Sequence, residues 1–197
     1  MNNILQSKKL KAFLLIFVCI LLVLLIIFAI GSYRDSDTGS SNNSKYIEKL
    51  DKESLKTDDG EQVVFIPKED IYSFSFTEAS GIVLNFEYID DQWVYTDNPD
   101  IDISEDRIDK VLNYLCDIRY VDTLAGVDGE GFGLGKGSKE CRITDSAGST
   151  VIISIGKINQ KNGTVYFAIN YDFSTVYINS GRLNKVTEYS IESLVQR

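Results

Sequence analysis

Histidine is absent from all 197 residues of this chain. Its absence removes the usual general base near neutral pH, the commonest transition-metal ligand, and every Ser-His or Cys-His nucleophile pair. Cysteine is scarce, at three residues. Cys19 lies in an apolar run and reads as an ordinary small apolar residue. Cys116 and Cys141 have no CxxC partner, and without histidine they make no zinc site. An oxidising compartment would permit a bond between them. The competing reading is burial, Cys116 on the apolar side of a predicted helix and Cys141 at the start of a predicted strand. Positive charge is the third shortage: 20 Lys and Arg stand against 29 Asp and Glu, a net charge of −9. That balance disfavours nucleic acid and anionic lipid headgroups as partners, since both need a cationic surface.

Charge is missing altogether from Ala12 to Ile30 (AFLLIFVCILLVLLIIFAI), and here the absence is the signal. A helix of that length spans roughly 28 Å, close to the thickness of a bilayer's hydrocarbon core. Lys8, Lys9 and Lys11 precede it, and Arg34 follows among Asp35 and Asp37. This asymmetry puts the N-terminus in the cytoplasm and the remainder outside. The competitor is a cleaved signal peptide, because Ala29-Ile30-Gly31 offers small residues at a peptidase spacing. The apolar run exceeds the ~7–15 residues of a usual signal core, so a retained anchor is adopted. The three lysines before the run leave 17 cationic residues against 29 acids beyond it, a balance of −12.

Gly31 to Ser44 is rich in Ser, Asn, Asp and Gly without apolar periodicity, which predicts a flexible stalk. Tyr46 to Leu55 is a short helix or more stalk. Strands are predicted at Val63–Ile66, at Ile71–Phe76 with Tyr72, Phe74 and Phe76 on one side, at Ile82–Tyr88 and at Gln92–Tyr95, read together as an antiparallel meander. Asp102 or Ser104 caps a helix from about Glu105 to Ile118, striped by Ile108, Val111, Leu112, Leu115 and Ile118. Further strands follow at Cys141–Thr144, Thr150–Ile155, Thr164–Ile169 and Thr175–Ile178. Leu183, Val186, Tyr189 and Leu194 predict a C-terminal helix over Arg182–Val195.

The motifs that resemble chemistry mostly fail on spacing. Gly129 to Gly137 alternates glycine but lacks the glycine a Walker A loop needs five residues before Gly135-Lys136, and no GxGxxG fits. Its glycines are expected to permit a turn with positive φ. Asp97, Asp100 and Asp102 lack the spacing of a calcium loop, and Pro99 interrupts them, so turn and cap duty is expected. Carboxylate pairs for glycoside cleavage are a three-dimensional property that 29 acids leave open. Trp93 with Tyr88, Tyr95 and Phe86 forms either an aromatic platform for a sugar or peptide, or a core, with Trp93 as its anchor.

The order Ile71-Tyr-Ser-Phe-Ser-Phe, Asp91-Gln-Trp93, Asp97-Asn-Pro-Asp-Ile-Asp-Ile-Ser-Glu, Gly131-Phe-Gly-Leu134, Ile155-Gly156, Gly163-Thr-Val-Tyr166 and Val176-Tyr-Ile178 resembles the bacterial family called domain of unknown function 4340. The resemblance covers most of Ile71 to Ile178 and no part of the anchor or stalk. Where members usually show a "yGL-(D)-x-P" motif, this chain reads Phe132-Gly133-Leu134-Gly135-Lys136-Gly137, with glycine at the Asp and Pro positions. The resemblance implies a membrane-anchored extracytoplasmic protein, with ABC-type export permeases and gliding-associated transporters among the neighbours of some members. It implies no catalytic or ligand residues.

The expected fold is α+β: antiparallel β-meanders around one amphipathic helix, a C-terminal helix, and a single N-terminal transmembrane helix. The expected organisation is a cytoplasmic tail (1–11), the membrane helix contacting lipid (12–30), a stalk (31–60) and an extracytoplasmic domain (61–197). The leading expectation for function is a non-enzymatic binding or accessory module, with an ABC-type transporter as candidate partner and no cofactor, metal or nucleic acid. Its interaction face is expected on the sheet or on the loop carrying Gly131, Phe132, Gly133 and Leu134. The alternatives are a structural envelope component and, behind it, a carboxylate-dependent envelope hydrolase.

Overall fold

Period-two strands dominate the chain, as its alternating segments require. The fold is that of a computed structural model, which describes residues 44–196. In order these are helix α1 (44–54), strands β1 (Glu61–Phe65), β2 (Ile71–Thr77), β3 (Val83–Ile89) and β4 (Gln92–Tyr95), and helix α2 (Glu105–Leu115). Strands β5 (Asp117–Tyr120), β6 (Asp122–Ala125), β7 (Lys139–Asp145), β8 (Thr150–Ile158), β9 (Val165–Ile169) and β10 (Thr175–Asn179) follow, then a one-turn helix α3 (Ile191–Leu194). The expected anchor lies outside the described residues. Among those described, no helix is long and apolar enough to cross a membrane.

Eight strands form one antiparallel sheet in the order β4-β3-β2-β7-β8-β9-β10-β6. It consists of two meanders, β4-β3-β2 and β7-β8-β9-β10, joined where Phe74 and Phe76 of β2 face Ile143 and Cys141 of β7, with β6 added antiparallel at the β10 edge. The domain is therefore mostly β, antiparallel, with a few helices.

One face of the sheet carries the main core. Phe74, Phe76, Leu84, Phe86, Cys141, Ile143, Ile153 and Phe167 are buried there against Ile108, Val111, Leu112 and Leu115 of α2. Phe74 stacks on Phe86 at 4.9 Å and meets the edge of Trp93 at 5.0 Å, contacts worth about 0.5–1.5 kcal/mol each beyond area burial. Trp93 is buried, as its anchor role requires. The opposite face carries a smaller core of Leu134, Ala168 and Val176.

Several expectations are corrected. The helix stops at Leu115, and Ile118 belongs to β5, which with β1 forms a separate two-stranded ribbon outside the meander. The C-terminal segment is not one helix. It is a 3-10 turn at Leu183–Glu188, an extended link at Tyr189 and Ser190, and α3. On β2 the register shifts between Ile71 and Ser73, so Ile71 joins Phe74 and Phe76 in the core while Tyr72 is exposed. Of the two candidate caps, Ser104 occupies the N-cap of α2, without a side-chain hydrogen bond. Residues expected in the stalk belong to the compact unit, which begins at Ile47. Ile47 and Leu50 are buried in its core, and Leu50 O accepts from the Tyr114 hydroxyl at 2.7 Å.

Candidate functional site

The tight turn at Asp90-Asp91 fixes the aromatic part of the site. Both residues have positive φ, 50° and 64°, in a two-residue hairpin whose twist favours that conformation. Aspartate tolerates it better than most residues. The turn sets Tyr88 opposite Trp93, with ring centroids 5.4 Å apart. Tyr88 is 39% exposed. With Ile71 and Leu112 the two rings floor a groove of about 550 Å³ between the β3–β4 hairpin and α2.

The rim of this groove is acidic because α2 begins there. A helix N-terminus favours negative side chains, and Glu105 and Asp106 occupy the first turn. Asp109 lies one turn on and accepts from Lys68 Nζ at 2.6 Å. Lys110 Nζ donates to Asp106 Oδ1 at 2.9 Å, and this bond above all raises the Lys110 pKa. Glu105 Oε1 accepts from the Trp93 backbone N–H at 2.7 Å. Tyr95 O is likewise taken, by the Asn98 N–H at 3.2 Å. These bonds occupy outward-facing groups of an edge strand, the usual template for strand addition. The groove is therefore suited to side-chain recognition.

A second depression of about 380 Å³ adjoins the first and shares Trp93 and Glu105 with it. Asp91, Asp100 and Asp102 line it, with Pro99 and Ile101. Together the two depressions hold seven carboxylates and one lysine, Lys68.

Two other concavities have local explanations. A cleft of about 490 Å³ surrounds Arg182, whose guanidinium donates to the carbonyls of Glu53, Ser54 and Asn113 and lies 4.5 Å from the Tyr114 ring centroid. Nearby, Asp58 accepts from Asn179 Nδ2 at 2.6 Å and Ser180 Oγ at 2.5 Å. That chemistry ties α1 to the sheet. A trough of about 260 Å³ on the sheet's other face is lined by Ser73, Ser75, Asn85, Thr144 and Thr150, a solvated polar surface with Arg142 and Glu87 beside it.

The residues singled out in the sequence are distributed differently. Phe132 and Leu134 turn toward the sheet. Phe132 packs on Tyr166 at 4.9 Å, and Leu134 is buried with Ala168 and Val176. Gly133 takes φ 77°, closing a 3-10 turn, with the Lys157 side chain where a Cβ would stand. Gly131 O accepts from Lys157 Nζ at 3.1 Å. The loop thus spends its apolar side chains on the small core. Asp97 accepts from Asn85 Nδ2 at 3.1 Å, a turn role, while Asp100 and Asp102 face the second depression. Among the described residues no group of three or more His, Cys, Asp or Glu could hold a metal ion. Cys116 and Cys141 are free thiols, and burial, first among the causes, pushes both pKa values up. Sequence reasoning found Tyr88 and Trp93 but missed their meeting with Glu105, Asp106 and Asp109. The only sequence signal for it was acid density at a predicted helix start.

Comparison of the chain with protein-family models, with curated proteins and with solved structures found no match.

Proposed function

We propose that this protein is a non-enzymatic binding or accessory module, held at the outer surface of a bacterial cytoplasmic membrane by residues 12–30, with its N-terminus in the cytoplasm. The domain recognises a partner through the groove between the β3–β4 hairpin and α2. The observation that carries this reading is the groove itself: an exposed Tyr88 above a buried Trp93, bordered by carboxylates, beside a strand edge that the chain closes with its own groups. Grooves with an apolar floor and a few convergent polar groups are the usual form of a recognition site. The resemblance to domain of unknown function 4340 belongs to the same proposal and makes an ABC-type transporter subunit the first partner to seek.

A hydrolase reading asks for two converging carboxylates, one of them kept protonated. Glu105, Asp106 and Asp109 already accept from a backbone N–H or an ammonium group, which favours binding over hydrolysis. A structural envelope role shares the anchor and differs in having no specific groove partner.

Purification of the full-length protein from its own membranes in mild detergent, after light crosslinking, tests the reading. A stoichiometric membrane partner that is lost in a Tyr88→Ala variant is the expected result. Recovery of the protein alone, under conditions that preserve known complexes, would overturn it.

A further inference from the structure

The charge around the groove goes well beyond the chain's general acidity. Across the sequence, acids outnumber cations 29 to 20, whereas in the paired depressions the ratio is seven to one. Asp106 and Asp109 have lysine partners. No ion pair among the described residues involves Glu69, Asp91, Asp100, Asp102 or Glu105. An incoming cation would meet carboxylates that face water, so it would displace little internal pairing.

The floor adds a second requirement. Tyr88, Trp93, Ile71 and Leu112 offer apolar and aromatic surface, which a small hydrated cation does not use. A guanidinium or ammonium over a tyrosine face is attracted by the negative face of the ring. The aliphatic stem of the same side chain covers apolar area. Two adjoining depressions sharing Trp93 call for a ligand with several side chains in succession.

We infer that the groove receives a cationic polypeptide segment of a partner protein, its Lys or Arg side chains reaching the carboxylates while intervening apolar side chains lie on Tyr88 and Trp93. The inference rests on the groove being the recognition face, and it names the chemistry of what binds there. Anionic headgroups and acidic peptides are repelled by the same rim.

The test is fluorescence anisotropy with full-length protein in mild detergent, empty micelles serving as the blank. The probe is a fluorescein-labelled ten-residue peptide with Lys or Arg at alternate positions and Ala or Val between; a matched Glu peptide is the control. Saturable binding is expected for the cationic probe alone, weakened about tenfold by Tyr88→Ala and severalfold by the pair Asp100→Asn and Asp102→Asn. An unchanged far-UV circular dichroism spectrum and thermal midpoint confirm that each variant is folded, since Tyr88 touches Trp93 and its removal alters the indole's emission directly. Equal binding of both probes, no saturable binding, or binding indifferent to all three substitutions overturns the inference. A photo-crosslinker at position 88 in native membranes separates the two levels of the proposal. A partner segment captured there but lacking Lys and Arg overturns the cationic inference and leaves the recognition face standing, whereas no adduct at all overturns both.

Discussion

Arg182→Ala is expected to cost the domain about 3 kcal/mol. The guanidinium donates to Glu53 O at 2.8 Å, Ser54 O at 2.9 Å and Asn113 O at 2.6 Å, and sits 4.5 Å from the Tyr114 ring centroid. A hydrogen bond from a charged donor contributes roughly 1.5–3 kcal/mol, and a cation–π contact about 1. These terms do not add in full, because the cleft around Arg182 is open and water can reach the abandoned carbonyls. Arg182→Lys keeps the charge but loses the planar fork that spans α1 and the end of α2, so an intermediate loss of about 2 kcal/mol is expected. Trp93 is the sole tryptophan and is buried in the core, so urea unfolding of the full chain followed by its fluorescence reads the change. Amide exchange at 47–54 should accelerate in parallel, because two of the three carbonyls terminate α1. A loss below about 0.5 kcal/mol, the range of ordinary surface substitutions, would refute the claim that α1 is an integral part of the domain.

The buried phenols give a pH signature. Burial, above all, raises the Tyr114 and Tyr189 pKa values, with Asp51 adding to the second. Stability is therefore intact below the unfolded-state value near 10 and declines as pH climbs from there toward the folded values, because only the unfolded chain releases these protons. Absorbance at 295 nm should show Tyr114 and Tyr189 as the last of the 11 tyrosines to ionise, behind Tyr95 and Tyr120, which are also raised. The last step should shrink in each of Tyr114→Phe and Tyr189→Phe; simultaneous ionisation of all would contradict the packing. Leu134→Ala, in the small core under the glycine loop, should cost about 2–3 kcal/mol in a thermal melt and leave partner binding unchanged. Near-neutral stability with lost binding would return the loop to the role of an interaction face.

Local pattern made much of the fold legible. The hairpin β3–β4 shows in its alternation and its Asp-Asp turn, and α2 shows in the stripe Ile108, Val111, Leu112, Leu115. The same stripe concealed the end of the helix, since Ile118 continues its step of three while sitting in a strand. At the C-terminus, Leu183, Val186 and Tyr189 recur every three residues, the repeat of a 3-10 turn, a spacing that also fits one face of an α-helix. The charges of α1 leave it open between short helix and stalk, because Ile47 and Leu50 are a thin apolar edge, secured by the Arg182 clamp, the Tyr114 and Tyr189 hydroxyls and the Arg107–Asp51 ion pair. In the groove, the pair Tyr88–Trp93 follows from hairpin register and is readable. Glu105 closing the Trp93 N–H depends on how α2 docks across the sheet, which no local spacing encodes.

The most direct test places a photo-crosslinking phenylalanine analogue at Tyr88 in the groove and, separately, at Tyr171, exposed at the β9–β10 turn beside Arg142, in protein expressed in its native membrane. Adducts with a discrete partner from position 88 and none from 171 are the predicted result. Adducts from 171 alone, or from neither site, would contradict the groove as the recognition face.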